Sequence, residues 1–271
     1  MVLPEVIEVY RDHTWRRDPE RRVENVYLAE RFVEEAGFCS VLTDSRHVGP
    51  SLYVAVCGRR DAHLPRNVQK DPETSLAWTI KDEVMRRGKC FYGSVLKGRA
   101  TFIAPRLLPF FTALWGIRRN DEKRALSKDA QVILKVLRHE WEMGSRDLRV
   151  ASGIPERARF NRAMIQLQRT FKIIPIDALY EPTFTYIWST SESRFQDYLR
   201  EAQSIEREQA LIEIARAYLT GAGMTLRGEL ARITGLGSPE AGLGNWGLVD
   251  EGFAERLGPG IYRLANMKLA S

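Results

Sequence analysis

The stretch from Ser145 to Ile176, SRDLRVASGIPERARFNRAMIQLQRTFKIIPI, concentrates the side chains that could do chemistry. Arg157, Arg159, Arg162, Arg169 and Lys172 fall in 16 residues, with Glu156 the nearby acid. On an inert helix surface, cations usually alternate with acids four residues away. A run without them suits phosphate contact, the alternatives being a solvated helix face or a contact to another domain. Gln166 and Gln168 stand two apart, and two amides converging on one atom could hold a water or a base edge. On a helix they point about 160° from one another, so they cannot share a reacting atom. Gln166 is then free to hydrogen-bond an adenine edge in a major groove, while Gln168 falls at the edge of the core or against the hairpin.

Elsewhere, Trp78, Lys81 and Asp82 in LAWTIKDEV form a second cluster. Lys81 and Asp82 could serve as nucleophile and base if they lined a cleft. Trp78 suits the core or a base-stacking platform. Lys97 and Arg99 flank Gly98 between two β-rich runs, which places two cations on a hairpin turn where a wing would meet phosphate. His13, His47, His63 and His139 have no metal spacing, and neither GxxxxGK[ST] nor GxGxxG occurs. GLGSPEAG lacks the order of a hydrolase elbow. No metal and no cofactor is expected.

The elements that must position these residues follow from apolar periodicity. With Phe160 set at zero and 100° added per residue, Met164, Leu167 and Phe171 return to within about 40° of it, and Arg162 falls near the opposite pole. The spacing therefore predicts a helix with these four residues in the core and the arginines outside. A short helix precedes it, across a turn at Gly153 and Pro155. FKIIPI and FTYIWST follow as strands. SKDAQVILKVLRHEWEMG reads as a helix capped by Ser127. Before it, RRVENVYLAERFVEEAG is an amphipathic helix stopped by Gly37, FCSVL a short buried strand, and PSLYVAVCG a helix from Pro50. ETSLAWTIKDEVMRRG is a further helix, KCFYGSVLKGRATFIAP a hairpin, and LLPFFTALWG an apolar helix. After residue 196 come a helix in REQALIEIARAYLTGAG and a second in TLRGELARITGLG with Thr225 as its cap. A third, in SPEAGLGNWGLV, is expected to be short or irregular because of its glycines. GPGIYRLA is the last strand.

Helices followed by a hairpin make a mainly α fold with β-hairpin wings (α+β), in tandem winged helix-turn-helix units over 21–118, 119–195 and 196–271, the last degenerate. The 271 residues suit that division. With 44% hydrophobic residues and 28% charged, the chain can bury a core. The net charge of +6 leans toward an anionic partner. Cys39, Cys57 and Cys90 are odd in number and widely spaced, which argues against a disulfide framework and for a reducing compartment. No apolar run suits a signal peptide or a membrane span, so a cytoplasmic protein without a membrane partner is expected, as a monomer.

In its element order, and in FCSVLT…PSLYVAVCG, LAWTIKDEV…KCFYGSVLKGRATFI and FNRAMIQLQRTFKIIPI, the chain resembles the AlkZ/YcaQ-like DNA glycosylase family over roughly Val23 to Leu264. The resemblance implies three winged-helix units around a concave DNA channel and hydrolysis of the N-glycosidic bond of alkylated or cross-linked purines, without metal. The family's catalytic signature is glutamine, an aliphatic residue, then glutamine or aspartate, just after the first helix of the first unit. Here that place reads GFCSVLTDS, with Cys39, Ser40 and Val41 where glutamines would stand. By position, Ser40 could orient a water, and Asp44 is the nearest carboxylate that could activate it or be held in a turn with Ser45 and Arg46. The readings that remain are a double-stranded DNA-binding protein linked to DNA repair, a glycosylase with a variant site, and a protein-interaction scaffold.

Overall fold

The computed structural model describes residues 3–267. Helix α1 (Glu5–Thr14) leads into α2 (Val26–Ala36), β1 (Phe38–Ser40), α3 (Leu52–Cys57), α4 (Pro72–Arg87), β2 (Phe91–Ser94), β3 (Ala100–Ile103) and α5 (Leu108–Trp115). Local chemistry starts and stops these helices. The Asn25 side chain accepts the Leu28 N–H at the start of α2, and Asp71 accepts that of Thr74 at the start of α4, with Pro72 at the first helical position. Gly37 ends α2 at φ 79°, where a Cβ would lie 2.6 Å from Leu107 Cδ1, so both conformation and space call for glycine.

The order continues with α6 (Glu122–Ala125), α7 (Lys128–Glu140), β4 (Glu142–Gly144), α8 (Ser145–Ala151), α9 (Arg157–Arg169), β5 (Ile173–Leu179) and β6 (Thr185–Thr190). Helix α10 (Glu192–Glu201) then leads to α11 (Arg207–Ala222), β7 (Met224–Thr225), α12 (Glu229–Thr234), α13 (Ser238–Asp250), β8 (Ala254–Gly258) and β9 (Ile261–Leu264). One pattern occurs three times: a helix, a short strand, two helices, and an antiparallel hairpin whose second strand pairs with the short strand. The sheet orders are β1-β3-β2, β4-β6-β5 and β7-β9-β8. The fold is mixed α+β, mainly helical.

The described residues form three apolar clusters. One lies under α2, α3 and α4, and one within the α7–β6 segment. The largest joins α5, β2, α10 and α11 to the last three-stranded sheet, so the first and last sheets share a core. Phe160, Met164 and Leu167 are buried in the α7–β6 cluster, as their spacing predicts. Phe171 is buried elsewhere. Helix α9 has ended by Thr170, and Phe171 at φ 57° turns into the large shared core, 5.1 Å from the Phe91 ring.

Other local expectations are corrected. Thr225 does not cap α12: it is paired in β7 with Tyr262, and Gly228 precedes the helix. Helix α13 is regular over 13 residues despite its glycines. Two of them let it close on α11: a Cβ at Gly244 would lie 2.5 Å from the Leu211 carbonyl oxygen, and one at Gly247 2.5 Å from Ile212 Cδ1. The expected α7 extension to Gly144 breaks at Trp141, and Glu142–Gly144 pairs instead with β6. Helix α1, from a segment with no assigned element, seals α11 and β7. Its buried Arg11 donates to the Ala222 carbonyl at 3.0 Å and the Met224 carbonyl at 2.6 Å, and pairs with Glu229 at 3.1 Å.

Candidate nucleic-acid interface

Helix α9 turns Phe160, Ala163, Met164 and Leu167 inward and leaves Arg157, Arg159, Arg162 and Arg169 exposed. These arginines differ in what holds them. Arg159 is clamped to Asp129 of α7, through Nε at 3.1 Å and Nη2 at 2.7 Å. Arg157, Arg162 and Arg169 have no carboxylate within ion-pairing distance among the described residues. Lys172 is buried, its Nζ 2.6 Å from Glu122 Oε1, and Arg138 grips the same carboxylate at 2.7 and 2.8 Å. Burial alone would raise the Glu122 carboxyl, but the hydrogen bonds from Arg138 and Lys172 hold it below the usual range. Lys172 is thereby occupied within the fold.

The two glutamines point apart and both engage backbone. Gln166 Oε1 accepts the Ser127 N–H at 3.1 Å, and its Nε2 donates to the Ala125 carbonyl at 3.3 Å. Gln168 is buried. Its Oε1 accepts the Ser94 N–H at 2.9 Å, and its Nε2 donates to the Met164 carbonyl at 3.4 Å.

Beside the N-terminal half of α9 runs a groove of about 630 Å³ between α8, α9 and the β5–β6 hairpin. Arg146, Arg149, Arg157 and Asn161 line one side of it, with Phe184 and Tyr186 on the hairpin. Arg146 and Arg149 likewise lack an acidic partner among the described residues. Neither belongs to the arginine run of α9 that the sequence singles out. Their signal was the three-residue spacing in SRDLR, which puts both on one face of the short helix before the turn.

Lys97, at φ 52°, is exposed on the β2–β3 connection. Its stem lies against the turn after α12, where a Cβ at Gly235 would be 3.1 Å from Lys97 Cγ. Arg99 is half-buried and lines a cleft of only about 20 Å³ with Phe38, Ser40, His47 and Ile233. The Ser40 hydroxyl is hydrogen-bonded to Thr43 and lies 3.2 Å from the Pro50 carbonyl. That cleft has room for about one water and none for an extruded nucleotide.

Asp44 is 1% exposed. Its carboxylate takes both the Nε and Nη2 donors of Arg46 and the backbone N–H groups of Arg46 and Leu64 at 3.1 and 3.3 Å. The Arg46 hydrogen bonds, reinforced by the backbone donors and opposed by burial, hold its pKa down to about 2. A carboxylate so occupied is a weak base and the anchor of an Asx turn.

Lys81 and Asp82 meet the β5–β6 hairpin rather than a cleft. Lys81 Nζ is 2.6 Å from Asp82 Oδ1 and donates to Tyr186 Oη at 3.2 Å. It lies 4.6 Å from the centre of the Trp78 ring. Tyr180 donates its hydroxyl proton to Asp82 and accepts the Trp78 indole N–H at 2.7 Å. Burial and the Asp82 hydrogen bond push the Tyr180 hydroxyl up to about 12. Both charges are almost fully buried, so the cluster acts as a polar clasp between α4 and the hairpin. Burial likewise raises the Cys57 and Cys90 thiols to about 12, which leaves them poor nucleophiles at neutral pH.

Among the described residues no group of three or more histidine, cysteine or acidic side chains is placed to hold a metal ion, and no helix is long and apolar enough to cross a membrane. Comparisons with curated proteins and with solved structures gave no match. The family described as AlkZ related matches residues 23–234, which span the first two sheets and continue through α12. Arginine-rich α9, the groove beside it and the closed turn at Asp44 thus sit within the matched region, and the chain belongs to the AlkZ-related family.

Proposed function

We propose that this chain binds double-stranded DNA through the face formed by α8, α9 and the β5–β6 hairpin, in a role linked to DNA repair. On this reading the three recurring segments are winged helix-turn-helix units over 21–118, 119–195 and 196–271, in a cytoplasmic monomer. The observation that carries it is the set of arginines without acidic partners: Arg146, Arg149 and Arg157 line an aromatic-walled groove, and Arg162 stands exposed farther round α9. An exposed guanidinium without a carboxylate keeps its donors for phosphate. Family membership supports the same reading. Arg169 extends the stripe, Lys97 offers a further phosphate contact, and Arg159 could join if phosphate displaces Asp129. The engaged amide of Gln166 would first have to leave Ser127 to read a base. Duplex binding measured against salt tests the proposal. Four phosphate contacts give a slope of about −3.6 in log K against log salt. A flat response, or no binding at ~50 mM salt, sinks it.

A glycosylase with Ser40 and Asp44 as its catalytic residues is the second reading, favoured by the family match. It needs the cleft at Ser40 to open and Asp44 to leave Arg46. Base release from alkylated and cross-linked duplexes, abolished by Asp44→Asn with affinity retained, would establish it. Duplex-independent capture of a protein partner would favour the scaffold.

A further inference from the structure

A second cavity, of about 580 Å³, opens between the end of α5, the end of α7 and α10, with the C-terminal end of α9 at its floor. Its size is in the range of small-molecule sites. Arg118, Arg119, Arg138, Lys172 and Arg200 line it, with Glu192 the one acidic lining residue. Glu122 and Glu192 serve Arg138 and Lys172, and Asp197 pairs with Arg200. Arg118 and Arg119 are left without a carboxylate among the described residues. Arg118 Nη2 donates to the Gln203 carbonyl at 3.2 Å, which holds its guanidinium at the rim.

The aromatic part of the lining is equally specific. Trp141 is 74% exposed although it lines the cavity, and it stands at φ 68°, a conformation that costs a side-chain-bearing residue. Phe171, at φ 57°, is another lining residue in that region. An exposed indole and two uncompensated guanidinium groups lining one cavity offer a stacking face and an anion site together. We infer that this cavity binds a nucleotide phosphate, with Arg118 and Arg119 on the phosphate and Trp141 against the base. The source is a free 5′-mononucleotide or the phosphorylated end of a DNA strand. The site shares no residue with the α8–α9 groove and does not depend on it.

The test is calorimetric titration of the full chain with deoxyadenosine 5′-monophosphate, deoxyadenosine and inorganic phosphate, on the wild type, Arg118→Gln/Arg119→Gln and Trp141→Ala. The expected result is saturable binding of the monophosphate, weakened about tenfold or more by the double substitution. Trp141→Ala should weaken the nucleotide and leave inorganic phosphate unaffected. Unchanged circular dichroism and melting temperature show that the variants are folded. DNA hairpins carrying a 5′-phosphate or a 5′-hydroxyl separate the sources: an arginine-dependent preference for the phosphate identifies a strand end, and its absence a free nucleotide. No saturable binding by ~10 mM, or binding indifferent to the substitutions, overturns the inference. Arg146→Gln/Arg157→Gln reports on the duplex face alone, so failure of either reading is visible without the other.

Discussion

The side chain of Gln168 crosses from α9 to the first sheet and accepts the backbone N–H of Ser94 at 2.9 Å. Ser94 ends β2, and its N–H would otherwise be unpaired at a boundary between two structural repeats. Gln168→Leu should therefore cost about 1–3 kcal/mol, the cost of an unmet buried donor. Gln166→Ala should cost less, since the residue is only partly buried and water can replace its contacts with the α6–α7 turn. Urea denaturation of the two variants compares them directly. Equal costs would show that the Gln168 bridge contributes nothing special.

Leu167 is fully buried between α7, α9 and the middle sheet. Leu167→Ala should lower stability by about 2–5 kcal/mol. A loss under about 1 kcal/mol would contradict the packing of α9, and with it the outward direction of the arginines.

The α9 arginines should separate in a DNA titration according to their partners. Arg157→Ala and Arg162→Ala should each weaken binding to all duplexes alike and reduce the salt slope by about 1. Arg159→Ala should do less, because Asp129 already engages its Nε and Nη2. An Arg159 effect as large as the other two would mean that the ion pair gives way to phosphate.

Asp44 makes stability depend on pH in a defined direction. Its folded pKa of about 2 lies below the ordinary 3.8, so the contribution is complete above about pH 5 and is lost progressively as pH falls through 2. At 1.36 kcal/mol per unit this is at most about 2 kcal/mol, and less in practice because Arg46 is mostly in water. The stability gap between wild type and Asp44→Asn, followed by denaturation from pH 5 to 2, roughly the span of this titration, should narrow toward acid. A constant gap would mean that the carboxylate charge is not what the turn uses.

Lys81 and Asp82 should behave as a buried pair. Asp82→Ala leaves an uncompensated ammonium among aromatic rings and should cost about 3–5 kcal/mol. Lys81→Met/Asp82→Leu should cost less than Asp82→Ala, because it leaves no orphaned charge. Thermal melting that ranks them the other way would indicate that the pair is accessible to water and open to a chemical role.

Much of the helical framework was legible because its signals are local. The phase of Phe160, Met164 and Leu167 depends only on the helical repeat, and the Ser127 cap reaches three residues. The same locality explains the failures. Phe171 continues the α9 spacing but lies past the helix end, and a spacing rule has no knowledge of where a chain turns. The glycines of α13 read as breakers because their purpose, close approach to α11, lies about 30 residues back along the chain. At the candidate sites the residue types were visible, while their availability was not. Arg159, Lys172 and Asp44 look as free in the sequence as Arg157 and Arg162. Asp129 and Glu122, which occupy two of them, stand 30 and 50 residues away. The Leu64 N–H that helps hold Asp44 is 20 residues from it. Helical periodicity sets the side of α9 on which a cation stands. Only the packed chain decides whether an acid reaches it, because an ion pair forms over a few ångströms of space and carries no fixed interval in sequence.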